Sequence, residues 1–134
     1  MEIRFATMKD IDTLYFYDKH IGKQELENLI RVNRVYILEK DDNFMGWLRY
    51  NLFWDNTPFL NMLYLLEDNR GKGLGKKIVV YWEEQMKILG YSNVMTSTAS
   101  NEYAQHFYNK LGYIAVGGFS PVGEPYEIIL SKVL

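Results

Sequence analysis

Residues 59–90 read FLNMLYLLEDNRGKGLGKKIVVYWEEQMKILG: an apolar run, a basic stretch broken by glycines, and a helical pattern in direct succession. Phe59 to Leu66 is nearly continuous in apolar side chains, the pattern of a central strand buried on both faces. From Gly73 onward, Leu74, Ile78, Tyr81, Trp82, Gln85 and Leu89 recur at helical spacing, and Gly90 stands where a helix C-cap belongs. The connection, Asn69 to Lys77 (NRGKGLGKK), therefore joins the end of a strand to the start of a helix. The first N–H groups of a helix lack partners within it, so an anion belongs at that point. Glycine keeps side chains away from such an anion and supplies positive φ where the loop needs it. Lys72, Lys76 and Lys77 add point charges, and Arg70 either pairs with a phosphate or fixes the loop by binding a backbone carbonyl.

Two nucleotide-binding patterns fail against these letters. A P-loop, G-x-x-x-x-G-K-[ST], needs a hydroxyl residue after the lysine, but Lys76 is followed by Lys77, and Arg70 stands in place of the first glycine. A dinucleotide fingerprint needs G-x-G-x-x-G, and Gly71, Gly73 and Gly75 are spaced G-x-G-x-G. What fits is R-x-x-G-x-G, carried by Arg70, Gly73 and Gly75. A lysine-rich solvated helix start, with the glycines serving only a turn, is the alternative reading of the same letters.

Working outward, EIRFA alternates like a half-buried strand, and Thr7 with Asp10 forms a T-x-x-D helix start. Ile11, Leu14, Tyr15 and Asp18 mark a first helix that stops near Gly22. Leu26, Leu29 and Ile30 mark a second. VYILE and FMGWLRYNLFW, separated by KDDN, read as a hairpin, and WDNTP turns into the central strand. After the long helix come a strand (SNVMTS), a helix (NEYAQHFYNKLG), and two strands (YIAVGGF and EIILSKV) around the loop SPVGEP. The order βααβββαβαββ describes a mixed α/β fold.

At 134 residues with 48% hydrophobic and 24% charged content, the chain is expected to fold as a single domain over residues 1–134. Polar residues interrupt every apolar run well short of a bilayer span, and MEIRFATMKD lacks the features of a secretory signal, so no membrane partner and a cytoplasmic location are expected. A net charge of −2 argues against a nucleic-acid partner. The chain has no cysteine and two histidines, which removes disulfides, thiolate chemistry and a histidine-rich metal site, and no metal is expected.

In this context R-x-x-G-x-G resembles the GNAT superfamily of acyl-coenzyme A-dependent N-acetyltransferases, and the resemblance covers essentially the whole chain. Asn101, Ala104, Phe107, Tyr108, Leu111, Gly112 and Tyr113 match a second pattern of that family, N-x-x-A-x-x-F-Y-x-x-x-G-[FY]. The resemblance implies a twisted, mostly antiparallel sheet of six to seven strands flanked by about four helices, with the fourth and fifth strands splayed apart. It implies acetyl-coenzyme A as co-substrate and direct transfer to a primary amine, on a small molecule in preference to a protein. The amides of Arg70, Gly71, Lys72, Gly73, Leu74, Gly75 and Lys76 would hold the pyrophosphate. Backbone groups of Leu65 and Leu66 would pair with the pantetheine, and Leu65 N–H would polarise the thioester carbonyl. Asn101 would contact the pantetheine arm, or cap its own helix. Tyr108 would give a proton to the departing thiolate, although its helical face would suit a core tyrosine equally.

Family members often carry a carboxylate base on the fourth strand, and Phe59 to Tyr64 contains none. Asp55, His20, Asp18 and Glu124 are the candidates elsewhere, each with a capping or surface role as its rival. The regions that build the family's acceptor pocket carry His20, Trp47, Trp54, Asp55 and Tyr126, with Tyr15, Tyr50 and Phe119. Aromatic walls with scattered acids suit a small cationic amine, and equally a packed core. A non-catalytic module that senses acyl-coenzyme A is the alternative function, and either a monomer or a homodimer is compatible with the sequence.

Overall fold

Strand alternation, helix caps and turn glycines set the element boundaries. In the computed structural model, which describes residues 1–134, the strands are β1 (Glu2–Phe5), β2 (Val35–Lys40), β3 (Asn43–Phe53), β4 (Thr57–Leu65), β5 (Asn93–Ala99), β6 (Ile114–Phe119) and β7 (Glu127–Val133). The helices are α1 (Ile11–Tyr17), α2 (Lys23–Arg31), α3 (Leu74–Ile88) and α4 (Ala104–Lys110). The expected order βααβββαβαββ is the observed one. All seven strands join one sheet in the order β1-β2-β3-β4-β5-β7-β6. Antiparallel pairs dominate, whereas β4 and β5 are parallel, in register at Phe59↔Met95 and Leu60↔Thr96. Parallel neighbours need a crossover connection, and α3 supplies it. The chain divides into two compact units, Met1–Asn51 with Met62–Val79, and Leu52–Asn61 with Val80–Leu134.

In the first unit, Ala6, Leu14, Leu26, Leu29, Ile30, Val35, Ile37 and Trp47 form a buried cluster against which Ile11, Ile21, Phe44 and Met62 pack. Thr7 and Asp10 form the anticipated capping box, with Thr7 N–H donating to Asp10 Oδ2 at 2.7 Å. The cap opens a single 3-10 turn, Met8–Asp10, before α1 proper. Arg4 on β1 then bridges Asp10 and Glu39 at 2.9 and 2.8 Å, tying the first strand to the helix start and to β2. Asp41 and Asp42 both take positive φ in the turn between β2 and β3, the geometry that a two-residue hairpin loop requires.

In the second unit, β5 alternates strictly, with Val94, Thr96 and Thr98 on its buried side. Both helices that end here close in the same way. Gly90 N–H bonds Lys87 O and Tyr91 N–H bonds Met86 O. Gly112 N–H bonds Asn109 O and Tyr113 N–H bonds Tyr108 O. With φ of +97 at Gly90 and at Gly112, these are Schellman caps. The glycine of the Y-x-x-x-G-[FY] pattern is therefore a backbone requirement of the α4 C-terminus.

Three expectations need correction. First, β4 is not buried on both faces: Pro58 and Leu60 are buried, but Asn61 and Tyr64 are exposed. An apolar run records an aversion to water, and Tyr64 meets it by leaning on Trp47 instead of entering a two-sided core. Second, α4 begins at Ala104, not Asn101, and its N-cap is Tyr103 with no side-chain hydrogen bond. Residues 100–103 form turns, with Glu102 N–H bonded to Ala99 O, so Asn101 does not cap the helix. Third, α1 stops at Tyr17, because Asp18 adopts extended backbone and its side chain is engaged by residues on β3.

Candidate functional site

The loop between β4 and α3 is shaped by two glycines in left-handed conformation, Gly71 at φ +74 and Gly73 at φ +78. A Cβ at either would meet nothing within 4 Å, so conformation, and not crowding, requires glycine, and the approach to the backbone is open. Gly73 O accepts from Lys77 N–H at 3.2 Å, which makes Gly73 the residue that opens α3. The N–H groups of Gly73, Leu74, Gly75 and Lys76 accordingly lack helical partners. Unpartnered amides at the head of a helix, reached through a loop with two left-handed glycines, favour an anion. Lys72, Lys76 and Lys77 are exposed around it.

The strand leading into the loop is fastened from three sides. Leu66 N–H donates to Met45 O at 2.9 Å, and Asn69 Nδ2 reaches the same carbonyl at 3.5 Å. Arg70 Nε donates to Leu65 O at 2.9 Å, while its guanidinium lies over the Tyr64 ring, 5.0 Å from the centroid. Of the two roles open to the Arg70 side chain, the second is the one present in this fold: its Nε clamps the loop through a backbone carbonyl. The Leu66 N–H is thus bonded to Met45 across the first unit. Beneath the clamp, Tyr64 stacks on Trp47, Trp47 on Phe44 and Phe44 on Tyr17, with centroids 5.0 to 6.0 Å apart. The floor of the loop is thus a series of aromatic rings in contact.

Trp47 and Asp18 meet in the same unit. Asp18 is 1% exposed and its carboxylate is saturated, by Arg49 Nε at 2.7 Å, Arg49 Nη2 at 3.4 Å, Trp47 Nε1 at 3.2 Å and the His20 backbone N–H at 3.1 Å. A carboxylate so engaged does not take a proton from a substrate, which removes Asp18 from the candidate bases. Trp47 is corrected as well: at 1% exposure, with its N–H spent on Asp18, it belongs to the core and not to an open pocket wall. The His20 side chain is exposed beside this network.

The second unit holds Tyr108, which is 5% exposed on α4 and set edge-on to Phe107 and Tyr113 at 5.0 and 5.3 Å. Its hydroxyl adjoins that of Thr96, and Thr96 Oγ1 donates to Leu60 O at 2.9 Å. With the Thr96 proton committed to Leu60, the Tyr108 O–H is the donor of the pair. Burial pushes the Tyr108 phenol up to about 12, so it is neutral and a donor throughout the physiological range. Tyr113 OH donates to Glu83 Oε2 at 2.7 Å, and Lys132 Nζ binds Glu83 Oε1 at 2.8 Å. Burial, then Glu83, raises the Tyr113 phenol further, which leaves it a fixed neutral support behind Tyr108.

The remaining candidates lie on the surface of this unit. Trp54 and Asp55 form the β3–β4 turn, both with positive φ, and the indole is 81% exposed on Phe53. Tyr126 is half exposed and presses on Gly118, where a Cβ would come within 2.6 Å of its ring. Asn101 and Glu124 are exposed. No group of three or more His, Asp or Glu side chains is placed to hold a metal ion. The sequence pattern singled out Tyr108 but not Thr96 on β5, which adjoins it, nor Glu83 on α3 and Lys132 on β7, which hold Tyr113 and each other. Glu83 and Thr96 are buried polar residues, and Lys132 is half-buried; none of the three carries a local signature in the sequence.

Comparison with protein families matches residues 5–113 to the acetyltransferase (GNAT) family. No curated protein sequence matches the chain. Among solved structures, Ard1 from Thermoplasma volcanium superposes with a TM-score of 0.86 at 13% identity, covering 99% of this chain and 97% of that one. The PaiA N-acetyltransferase from Thermoplasma acidophilum, in complex with coenzyme A, gives 0.80 at 20% identity over 99% and 98%. A GNAT-family acetyltransferase from Bacillus cereus gives 0.77 at 23% over 98% and 96%. At these identities the superpositions establish a shared fold.

Proposed function

Because the chain belongs to the acetyltransferase (GNAT) family, with residues 5–113 matched, we propose that it transfers the acetyl group of acetyl-coenzyme A to a primary amine on a small molecule. The observation that carries this reading is the loop before α3, where two left-handed glycines leave an open approach to unpaired helix amides. The matched residues run through both compact units, which supports reading residues 1–134 as one catalytic domain. No helix is long and apolar enough to cross a membrane, and a cytoplasmic enzyme is the reading carried forward.

In this mechanism the amides from Arg70 to Lys76 receive the pyrophosphate and Arg70 keeps the loop in shape. Leu65 N–H polarises the thioester carbonyl, and Asn101 meets the pantetheine arm. The amine nitrogen attacks the carbonyl carbon, the C–N bond forms and the C–S bond breaks; the amine proton passes to water, and a proton returned from water restores the Tyr108 phenol after it has protonated the thiolate. Tyr108 donates a hydrogen bond, then its proton, to the departing thiolate. Its phenol is held neutral by burial, and its one O–H, which rests on Thr96 in the empty fold, turns to the thiolate as the charge develops. Exposed aromatic side chains, Trp54 and Tyr126 among them, give a cationic amine faces on which to rest.

One observation favours a second reading: β4 carries no carboxylate, and Asp18 is fully engaged. A non-catalytic sensor of acyl-coenzyme A would bind without turning over. Calorimetric titration with acetyl-coenzyme A, followed by assay of coenzyme A release across amines, polyamines, amino acids, aminoglycosides and peptides, separates the outcomes. Binding with release on a small amine supports the enzyme, and release confined to peptides reassigns the acceptor. Binding without release supports the sensor, and no binding at millimolar acetyl-coenzyme A overturns both.

A further inference from the structure

Gly46 lies on β3, buried, and takes no positive φ. Its reason for being glycine is on the next strand. A Cβ there would overlap the Tyr64 carbonyl oxygen and would stand 2.9 Å from Leu65 Cδ2 and 3.1 Å from Leu65 Cα. The Tyr64 oxygen thus occupies the space that any other residue at position 46 would fill. β3 is held firmly around this contact. Gly46 is in register with Leu38 on β2, Met45 O accepts from Leu66 N–H at 2.9 Å, and the Trp47 indole is bonded to Asp18. All these residues belong to the first compact unit.

The planarity of the peptide bond gives this contact a consequence. The Tyr64 C=O and the Leu65 N–H belong to one trans peptide unit, so they point in opposite directions. With the oxygen seated against Gly46, the Leu65 N–H points away from β3. The neighbouring bonds follow the same alternation. Leu66 N–H turns back to Met45 on β3, whereas Leu65 O, on the same edge of the strand as its own N–H, is reached by Arg70 Nε at 2.9 Å. On that edge β5 is in register with β4 at Phe59 and Leu60 and not at Leu65. A side chain at position 46 would push the Tyr64 oxygen outward and turn the whole peptide plane, because the oxygen and the N–H cannot move independently.

The Leu65 N–H is the donor that the proposed mechanism directs at the thioester carbonyl, and such a donor works only when it is aimed where negative charge develops. We propose that Gly46 is a positioning residue for acetyl transfer: its missing side chain seats the Tyr64 carbonyl against β3 and thereby aims the Leu65 N–H at the thioester carbonyl. The inference rests on the acetyltransferase reading above and adds a residue that neither sequence pattern contains. Gly46 touches no substrate and acts through a single peptide unit.

The experiment compares the full wild-type chain with Gly46→Ala, and with Val94→Ala as a control that loosens a buried position on β5. Calorimetry with free coenzyme A, which lacks the acetyl carbonyl, is expected to give the same affinity within about threefold in Gly46→Ala. With the best acceptor of the amine panel, kcat of Gly46→Ala is expected to fall about 100-fold, the loss for one misaimed oxyanion donor. Val94→Ala is expected to unfold at lower temperature and to retain kcat. The infrared carbonyl stretch of bound acetyl-coenzyme A, isotope-labelled at the thioester carbon, is expected to lie below that of the free thioester in the wild-type chain and to return toward it in Gly46→Ala. Adding Leu65→Ala to Gly46→Ala removes Leu65 Cδ2 from the path of the new Cβ but leaves the conflict with the Tyr64 carbonyl, so both losses are expected to persist. Wild-type kcat and stretch in Gly46→Ala, or their recovery in the double variant, overturns the proposal. A loss of coenzyme A affinity as large as the loss of kcat makes Gly46 a structural residue only and also overturns it. An unshifted stretch in the wild-type complex refutes the positioning role without requiring any variant to fold, and it decides the matter if the chain binds without turnover. Failure of the wild-type chain to bind acetyl-coenzyme A refutes the acetyltransferase reading itself, and the proposal falls with it.

Discussion

The loop before α3 and the surroundings of Tyr108 do their work with opposite materials. The loop is made of backbone: two left-handed glycines, a set of unpaired helix amides, and a clamp from Arg70 to a carbonyl. The surroundings of Tyr108 are made of side chains distant in the chain: Thr96 on β5 beside it, and Tyr113, just beyond α4, held by Glu83 on α3, which Lys132 on β7 binds in turn. Backbone devices are local and tolerate any side chain that does not interfere, so their sequence trace is a short run of glycines. Side-chain devices depend on burial and on partners distant in the chain. The first kind fails by strain, the second by loss of one polar atom.

The largest expected effect tests whether open glycines are the critical ones. Gly46 on β3 carries no unusual φ, yet a Cβ there would overlap the Tyr64 carbonyl and stand 3.1 Å from Leu65 Cα. Backbone atoms cannot yield as a flexible side chain can, so Gly46→Val should cost about 3 kcal/mol of stability, the upper end for overpacking. Urea unfolding measures it. A cost below about 1 kcal/mol would show that β3 and β4 shift apart easily, and that the fastening of Leu65 and Leu66 is looser than the hydrogen bonds suggest.

Next is the single polar atom. Tyr108→Phe removes the donor while keeping the ring against Phe107 and Tyr113. We expect kcat to fall about 100-fold or more, as for loss of a general acid, with the acetyl-coenzyme A KM changed less than about threefold. An equal loss in KM alone would make Tyr108 a binding group. Below this in size lies Gly73→Ala. Its Cβ meets no atom, so its expected cost is the backbone strain of a left-handed alanine, about 1–2 kcal/mol. Calorimetry should show acetyl-coenzyme A binding weakened about tenfold. Unchanged affinity would indicate that the loop does not hold the pyrophosphate in this conformation.

The same contrast explains what could be read in advance. The order of eleven strands and helices was legible because period-two and period-3.6 patterns are interrupted by glycines whose backbone roles are local, as at Gly90 and Gly112. The loop was legible for the same reason, down to the choice left open for Arg70. The bond from Leu66 N–H to Met45 O was not legible because a backbone N–H is invisible in a sequence, and the two residues are 21 apart in the chain. Trp47 was placed on a pocket wall because aromatic residues suit cores and pockets alike, and the buried Asp18 that fixes its indole has no local signature. Gly46 was overlooked because its reason is another strand. Thr96 and Thr98 looked like ordinary strand residues, and only burial distinguishes them.

The smallest expected effect is a flat line, and it discriminates between the two materials most finely. Burial raises the Tyr108 phenol from 10 to about 12, so the folded chain holds that proton more tightly than the unfolded chain does. The linked stability is fully present below pH 10 and is lost as pH rises toward 12. As a donor, Tyr108 therefore stays protonated across the whole usual assay range, and the loop amides do not titrate at all. Between pH 7 and 10 the kcat profiles of the wild-type chain and Tyr108→Phe should differ in height but not in shape. Above pH 10 the wild-type unfolding temperature should fall more steeply than that of Tyr108→Phe. A wild-type alkaline limb near pH 9 that disappears in Tyr108→Phe would mean that the phenol ionises early, that its hydroxyl is wet in the working enzyme, and that the side-chain site is as open as the loop.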